Sequence, residues 1–212
     1  MVFRMPTYPL IYYINLDYRI DRKNEMLDWL EDANTPTERI VRVSAVHCPG
    51  RGHLGCLLSH IKTLTHFLQG SEPYCIVLED DYQPLHPTTF WDSIQKVFTQ
   101  NVNFDLIMLA TNLPKSEPTE YDFLHRLQAS FTSSGYIITR EFAPTVLQNF
   151  KEAVMKLDEQ EQRTHQKANE FCLDVYWQRL MPISRWFCFY PIIGIQRESY
   201  SDIEQVHANH TK

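Results

Sequence analysis

Three consecutive carboxylates, Glu79, Asp80 and Asp81, follow a short apolar segment at residues 74–78. Such a segment is typical of a strand buried on both faces, and ligands of parallel α/β sheets bind beyond the carboxyl ends of the strands. Because adjacent negative charges repel one another, a bound cation would offset their repulsion, and oxygen ligands favour Mg²⁺ or Mn²⁺. The alternative interpretation is an acidic turn that caps the next helix.

A second polar cluster follows the first apolar segment of the chain, at residues 14–26. Asn15 and Asp17 end that segment, and Arg19 and Arg22 come directly after it. An arginine side chain presents a fork of donors that suits phosphate or carboxylate. For these arginines taken alone, ion pairs along the surface of a helix are the simpler interpretation.

A third candidate is the start of the amphipathic segment at residues 51–64. Gly52 and Gly55 allow a close approach of the backbone, and the N-terminus of a helix favours anions. The same region also permits a zinc site, with the candidate ligands Cys48, His53, Cys56 and His60. Against zinc, Cys56 lies beside the apolar stripe of the helix, where a buried thiol is common.

A fourth candidate is Asp174, the single acid in the aromatic segment at residues 171–180. A carboxylate surrounded by aromatic rings has a raised pKa and suits a general base. The alternative is a core segment in which Asp174 caps a helix. The polar tail contains further candidates, Asp202 and His207, which either fold over a site or remain in solvent.

Apolar segments and amphipathic segments alternate along the chain. The predicted strands cover residues 8–16, 38–44, 74–78, 104–110 and 131–139, with a last extended stretch at 186–195. The predicted helices cover residues 22–33, 53–69, 88–99, 142–157 and 171–180. This alternation predicts an α/β fold with a mostly parallel central sheet and helices on both faces. The length of 212 residues and the lack of linker-like segments predict a single domain, residues 1–212.

The composition excludes several classes of protein. The formal charge of −6 argues against a nucleic-acid binder, which normally carries a basic patch or stripe. The sequence contains neither of the common glycine-rich phosphate loops. Five cysteines at irregular spacings argue against a disulfide framework and for a reducing compartment. Without a long apolar run, we expect a cytoplasmic protein that does not span a membrane.

Taken together and in order, these segments resemble glycosyltransferase family 25, the lipopolysaccharide and procollagen galactosyltransferases. The most specific parts of the resemblance are GHLGCLLSH at residues 52–60 and IVLEDDY at residues 76–82. The start YYINLDYRIDRKNEM, the segment SSGYIIT, the Asp174 segment and the closing SDIE add weaker matches. The resemblance implies a single Rossmann-like domain of the GT-A type that transfers a sugar, with inversion, from a UDP-sugar to a hydroxyl of a glycan or protein.

The resemblance also implies roles for individual residues. Asp81 would bind Mn²⁺ or Mg²⁺, with His207 as a weaker further ligand. The implied donor-binding residues are Asn15, Arg19, Arg22, Gly55, Ser59, His60, Glu79 and Asp80. The acceptor hydroxyl would lose its proton to Asp174 or, as the second candidate, to Asp202. The polar stretches at 111–125 and 158–169 would form acceptor loops.

Three other functions are compatible with some of the same residues. A homologue that binds or hydrolyses a nucleotide sugar would keep the fold without transferring the sugar. A zinc-stabilised interaction module would use the four Cys and His residues near the third candidate site. A metal-dependent nuclease would use the acidic triplet, but the net negative charge speaks against it.

Overall fold

The computed structural model describes residues 8–197, 199–201 and 206–208. Its first half is a parallel three-stranded unit in the order β2-β1-β3. The strands are β1 (Leu10–Asn15), β2 (Ile40–Ser44) and β3 (Tyr74–Glu79), and the connecting helices are α1 (Ile20–Asp32) and α2 (Gly52–Gln69). Because these strands are parallel, their carboxyl ends meet at one edge of the sheet.

The remaining elements include five strands that extend this unit to a mixed sheet of eight strands. They are β4 (Tyr82–Pro84), α3 (Phe90–Thr99), β5 (Leu106–Met108), β6 (Asn112–Pro118), β7 (Leu124–Phe131), β8 (Gly135–Thr139), α4 (Ala143–Thr164), α5 (Leu173–Tyr176), β9 (Trp186–Phe189), β10 (Gly194–Gln196), β11 (Ser199–Ser201) and β12 (Val206–Ala208). The strand order is β2-β1-β3-β8-β5-β9-β7-β6. Two antiparallel pairs, β4 with β10 and β11 with β12, lie outside this sheet.

The directions of the strands confirm an α/β fold with a mostly parallel sheet. Following the pairings across the sheet, six of the eight strands run the same way, and only β7 and β8 run opposite to them. Strand β8 lies antiparallel between β3 and β5. The sequence segment at residues 132–134 that precedes β8 is therefore brought next to the carboxyl end of β3.

Helices cover both faces of the sheet, because alternate residues of each buried strand point in opposite directions. Val77 of β3 belongs to the core that α2 and α4 cover, together with Leu57 and Phe150. The neighbouring Ile76 belongs to the core on the opposite face, together with Leu30 of α1 and Ile94 of α3. Continuation of this alternation places Glu79 on the side of α2.

Several segments differ from the sequence predictions. The stretch at 111–125, predicted as a loop, mostly forms β6 and the start of β7, because β6 is an edge strand whose exposed polar side chains follow no apolar alternation. The predicted strand at 131–139 is divided, since Thr132 has a positive φ of 116° between β7 and β8. In addition, α4 continues to Thr164, so that more than half of the stretch at 158–169 is helical.

All five cysteines are free thiols, and Cys75 and Cys188 are buried among the strands. Of the helices in the described ranges, none has the length and the apolar character that crossing a membrane requires.

Candidate active site

Glu79 ends β3 with its carboxylate between α2 and the 132–134 turn, the segment that links β7 to β8. Its Oε1 accepts a hydrogen bond from the Ser133 hydroxyl and lies 3.3 Å from Nε2 of His60. The other ring nitrogen of His60 lies 2.9 Å from the hydroxyl of Tyr136. Burial raises the pKa of Glu79, but His60, the Ser133 hydroxyl and the charge of Arg22 together hold this pKa below its usual value.

Asp80 faces α1 and is bound by protein groups at both of its oxygens. Arg22 Nη1 donates to Oδ1 at 2.8 Å, and the Asn15 amide donates to Oδ2 at 2.7 Å. Arg42 donates to the Asn15 side-chain oxygen at 2.9 Å, which fixes the orientation of that amide. Burial nevertheless raises the pKa of Asp80. Asp80 therefore attaches the acidic turn to β1 and α1.

Asp81 is the acid of the triplet whose charge the protein compensates least. Its Oδ2 accepts a hydrogen bond of 3.1 Å from the Gln196 amide and lies 4.0 Å from Arg22 Nη1. Its Oδ1 is buried and has no hydrogen-bond partner within the part of the chain that is described. Burial, followed by the charge of Glu79, raises the pKa of Asp81 to about 7. A buried carboxylate with one uncompensated oxygen beside a second acid fits a divalent cation.

The 132–134 turn lies next to Glu79, Asp81 and Asp174, the three acids that face the site. The Thr132 hydroxyl donates to Gln196 Oε1 at 2.9 Å, and Gln196 in turn donates to Asp81. The backbone amide of Glu79 donates to the Ser134 carbonyl at 2.8 Å. The Thr132 backbone lies close enough to the Asp174 carboxylate to lower the pKa of that carboxyl.

Asp174, in the first turn of the short helix α5, is partly buried. Burial raises its pKa, and the negative charge of Glu79 raises it further. A carboxylate with a raised pKa is a stronger proton acceptor. The arrangement therefore combines Asp81, whose carboxylate suits cation binding, with Asp174, whose carboxylate suits the role of a general base.

The structure brings most of the predicted site residues together around this edge of the sheet. The residues that converge there are Asn15, Arg22, His60, Glu79, Asp80, Asp81 and Asp174. Arg19 hydrogen-bonds to the exposed carboxylate of Asp21, at 2.7 Å from Nη2 to Oδ2. Asp202 lies outside the described residues, and so does the side chain of His207, whose backbone belongs to β12.

Gly55 and Ser59 lie on α2 where this helix contacts the loop that follows β2. A Cβ at Gly55 would stand 2.5 Å from the Val46 carbonyl oxygen, so only glycine permits this approach. The Ser59 hydroxyl accepts a hydrogen bond of 2.8 Å from the Val46 amide. Both residues hold the 45–48 loop against α2, and their contact with a sugar donor stays a prediction.

The four residues of the predicted zinc site do not come together. His53 Nε2 lies 2.6 Å from the Glu161 carboxylate of α4. In the described ranges, the group of metal-ligating side chains that converges consists of Cys56, His60 and Glu79. A zinc site of Cys48, His53, Cys56 and His60 is therefore wrong for this structure.

Sequence reasoning did not identify Thr132, Ser133 or Gln196 as site residues. Ser133 lies in the segment SSGYIIT and Thr132 directly precedes it, and neither residue has a local pattern that indicates chemistry. No local sequence pattern identifies Gln196 as a site residue, because glutamine is common in extended segments. Its role depends on the pairing of β10 with β4, which places Gln196 opposite Tyr82 and next to Asp81.

One sequence family model and several solved structures match this chain. The sequence model of glycosyltransferase family 25, described as an LPS biosynthesis protein, matches residues 50–160. No match is found among curated proteins. A glycosyltransferase involved in glycosylation of the major capsid of PBCV-1 is 10% identical, with coverage of 93% of this chain and 97% of that chain and a TM-score of 0.48.

Two further solved structures show comparable similarity. Mannose-1-phosphate geranyltransferase from Thermus thermophilus is 9% identical, with coverage of 92% of this chain and 76% of that chain and a TM-score of 0.46. An apo UDP-glucose pyrophosphorylase is 13% identical, with coverage of 85% of this chain and 72% of that chain and a TM-score of 0.46.

Proposed function

This chain belongs to glycosyltransferase family 25 and is a glycosyltransferase, and we propose that it moves a hexose, galactose or glucose, from a UDP-sugar to a hydroxyl of a glycan or protein. The reaction would depend on a divalent cation and invert the anomeric centre. The single observation that carries this proposal is the buried Asp81, whose Oδ1 has no partner among the described residues and whose neighbour is another acid, Glu79.

Asp81 and Glu79 are the proposed holders of the cation, Mn²⁺ or Mg²⁺. When bound, the cation would neutralise the negative charge that develops on the leaving diphosphate. Asp80 has a different role, since Asn15 and Arg22 already hydrogen-bond to both of its oxygens. It keeps the acidic turn against β1 and α1, so that the neighbouring acid is held in one position. His207 stays a predicted further ligand.

Asp174 is the proposed general base. Its carboxylate accepts the proton of the acceptor hydroxyl while that oxygen forms a bond to the anomeric carbon and the diphosphate leaves from the opposite face. The raised pKa, caused by burial and by the charge of Glu79, supports this role. Such a proton transfer contributes about 10²–10⁴ in rate. Asp202 stays the second candidate.

The donor nucleotide is proposed to lie over the carboxyl ends of β1 and β3. Asn15 ends β1 and is almost fully buried, and Arg22 and Arg19 follow at the start of α1. His60, Ser59 and Gly55 stay predicted contacts on the side of α2. Ligands of open α/β sheets bind at this edge, which supports the placement.

Calorimetric titration tests the proposal. UDP, UDP-galactose, UDP-glucose and GDP-mannose are titrated into the protein with Mn²⁺ and, separately, with EDTA. We expect one UDP-sugar to bind in Mn²⁺ only, and Asp81→Asn to abolish this binding. The matched control is Asp28→Asn, which changes an exposed acid of α1 and keeps the affinity. Equal binding in EDTA contradicts the cation assignment, and binding of none of the four contradicts the donor class.

A further inference from the structure

Three side chains with different ligand atoms converge between α2 and the end of β3. Cys56 and His60 lie one turn apart on α2, and Glu79 faces them from β3. Their ligand atoms all lie within 4.8 Å of one another, and His60 Nε2 lies 3.3 Å from Glu79 Oε1. Zinc with bonds of about 2.0–2.3 Å holds tetrahedral ligands roughly 3.3–3.8 Å apart, so small side-chain movements would complete such a site.

The His60 ring is already oriented as a ligand. Its Nδ1 lies 2.9 Å from the Tyr136 hydroxyl, and the two rings stack with 5.8 Å between their centroids. Tyr136 is itself fully buried and packs against Trp177. Metal-binding histidines usually have the second ring nitrogen hydrogen-bonded in this way, which aims the first nitrogen at the metal.

We propose that Cys56, His60 and Glu79 form a binding site for Zn²⁺, and that its occupation inhibits sugar transfer. A thiolate and an imidazole select Zn²⁺ over Mg²⁺ or Mn²⁺, which prefer oxygen ligands such as those of Asp81. On binding, the Cys56 thiol releases its proton to solvent, and the fourth position stays open to water. Cys56 and Glu79 are partly buried, and His60 is fully buried.

The inhibition follows from the position of Glu79 in both sites. Zn²⁺ at Glu79 Oε1 would replace the hydrogen bonds from His60 and Ser133 and would pull the carboxylate toward α2. The proposed Mn²⁺ or Mg²⁺ site beside Asp81 would then lose one of its two acids. This inhibitory effect rests on the proposed function, whereas the binding of Zn²⁺ does not.

Absorption spectroscopy with Co²⁺ tests the binding, because a cobalt–thiolate bond gives a charge-transfer band that oxygen and nitrogen ligands do not give. We expect the band in the wild-type protein, its loss in Cys56→Ser, and its bleaching by one equivalent of Zn²⁺. The matched control is Cys48→Ser, since Cys48 is a partly buried cysteine outside the cluster. Absence of the band in the wild-type protein, or its persistence in Cys56→Ser, overturns the proposal.

A transfer assay with saturating Mg²⁺ tests the inhibition. We expect Zn²⁺ to inhibit the wild-type enzyme and Cys48→Ser equally, and Cys56→Ser to require at least tenfold more Zn²⁺, because the loss of even an outer-shell partner costs about 10–100-fold in metal affinity. Equal sensitivity of Cys56→Ser overturns the inhibitory role. If the wild-type enzyme transfers no sugar when Zn²⁺ is absent, the proposed function is wrong. The cobalt band then still tests whether the Zn²⁺ site exists.

Discussion

Gln196 donates a hydrogen bond from its side-chain amide to Asp81 Oδ2 at 3.1 Å, across 115 residues of sequence. The Thr132 hydroxyl donates to the other end of the same amide, at 2.9 Å, and so fixes which atom faces the acid. Asp81 is thereby held by strand β10 and by the 132–134 turn together. The remaining oxygen, Oδ1, is left buried and without a partner in the described ranges.

The stability of the metal-free protein should depend on the ionisation of Asp81. The pKa of this carboxyl is about 7 in the folded protein against 3.8 in a free chain, because burial and Glu79 disfavour its charge. Between these two values the folded state binds more protons than the unfolded state, so the free energy of unfolding decreases as the pH rises from about 4 to about 7. Asp81→Asn removes this decrease in the free energy of unfolding, which amounts to about 4 kcal/mol at most.

Urea unfolding in EDTA near pH 5 and near pH 8 measures this effect of Asp81. We expect Asp81→Asn to be more stable than the wild-type protein near pH 8 and to differ less near pH 5. The exposed substitution Asp28→Asn should leave the pH dependence unchanged. Identical pH dependence of the wild-type protein and Asp81→Asn would show that Asp81 ionises normally in the folded state.

Asp174→Asn should bind the UDP-sugar normally and transfer the sugar about 10²–10⁴ times more slowly, because the amide cannot accept the acceptor's proton. Donor affinity by calorimetry and kcat under saturating donor separate the two effects. Glu170→Gln, four residues away and exposed, serves as the control and should keep kcat. Transfer by Asp174→Asn at the wild-type rate would assign the base to another group.

Thr132→Val should lower the free energy of unfolding by about 1–3 kcal/mol and weaken the binding of Mn²⁺, because Gln196 Oε1 and the Ser134 amide lose their partner. Valine has the branched shape of threonine and experiences the same backbone strain at a φ of 116°, so the difference reports the hydroxyl. Thr132→Ser is the control and should restore Mn²⁺ affinity. Equal affinities for the Val and Ser variants would exclude this role of the hydroxyl.

Gly194→Ala should destabilise the protein by about 1–3 kcal/mol and reduce Mn²⁺ affinity, since overpacking must move β10 away from β4. A Cβ at this position would overlap the buried Tyr82 ring, with 2.5 Å to its Cζ atom. The same movement would take Gln196, two residues later, away from Asp81. Gly70→Ala, whose Cβ would stand 3.5 Å from its nearest neighbour, is the control. A stability change in Gly194→Ala without any loss of Mn²⁺ affinity would show that the position of β10 does not affect the cation site.

Most helices and the central strands could be predicted from local patterns. The apolar segment at 74–78 became β3, and the stripe of leucines at 53–69 became α2. The edge strand β6 could not be predicted, because its mostly polar side chains are largely exposed and it pairs with β7 at the edge of the sheet. Likewise, no local pattern predicts that β8 runs antiparallel between β3 and β5.

The sequence by itself determined that an acidic triplet ends a buried strand at the ligand-binding edge of an α/β sheet, since strand propensity and alternation are local properties. Only the tertiary structure decided how the three acids differ. Asp80 is bound by Asn15 and Arg22, which lie 65 and 58 residues away. Asp81 keeps one oxygen without a partner in the described part of the chain. Such contacts depend on how distant elements pack, and the spacing of residues along a chain does not encode that packing.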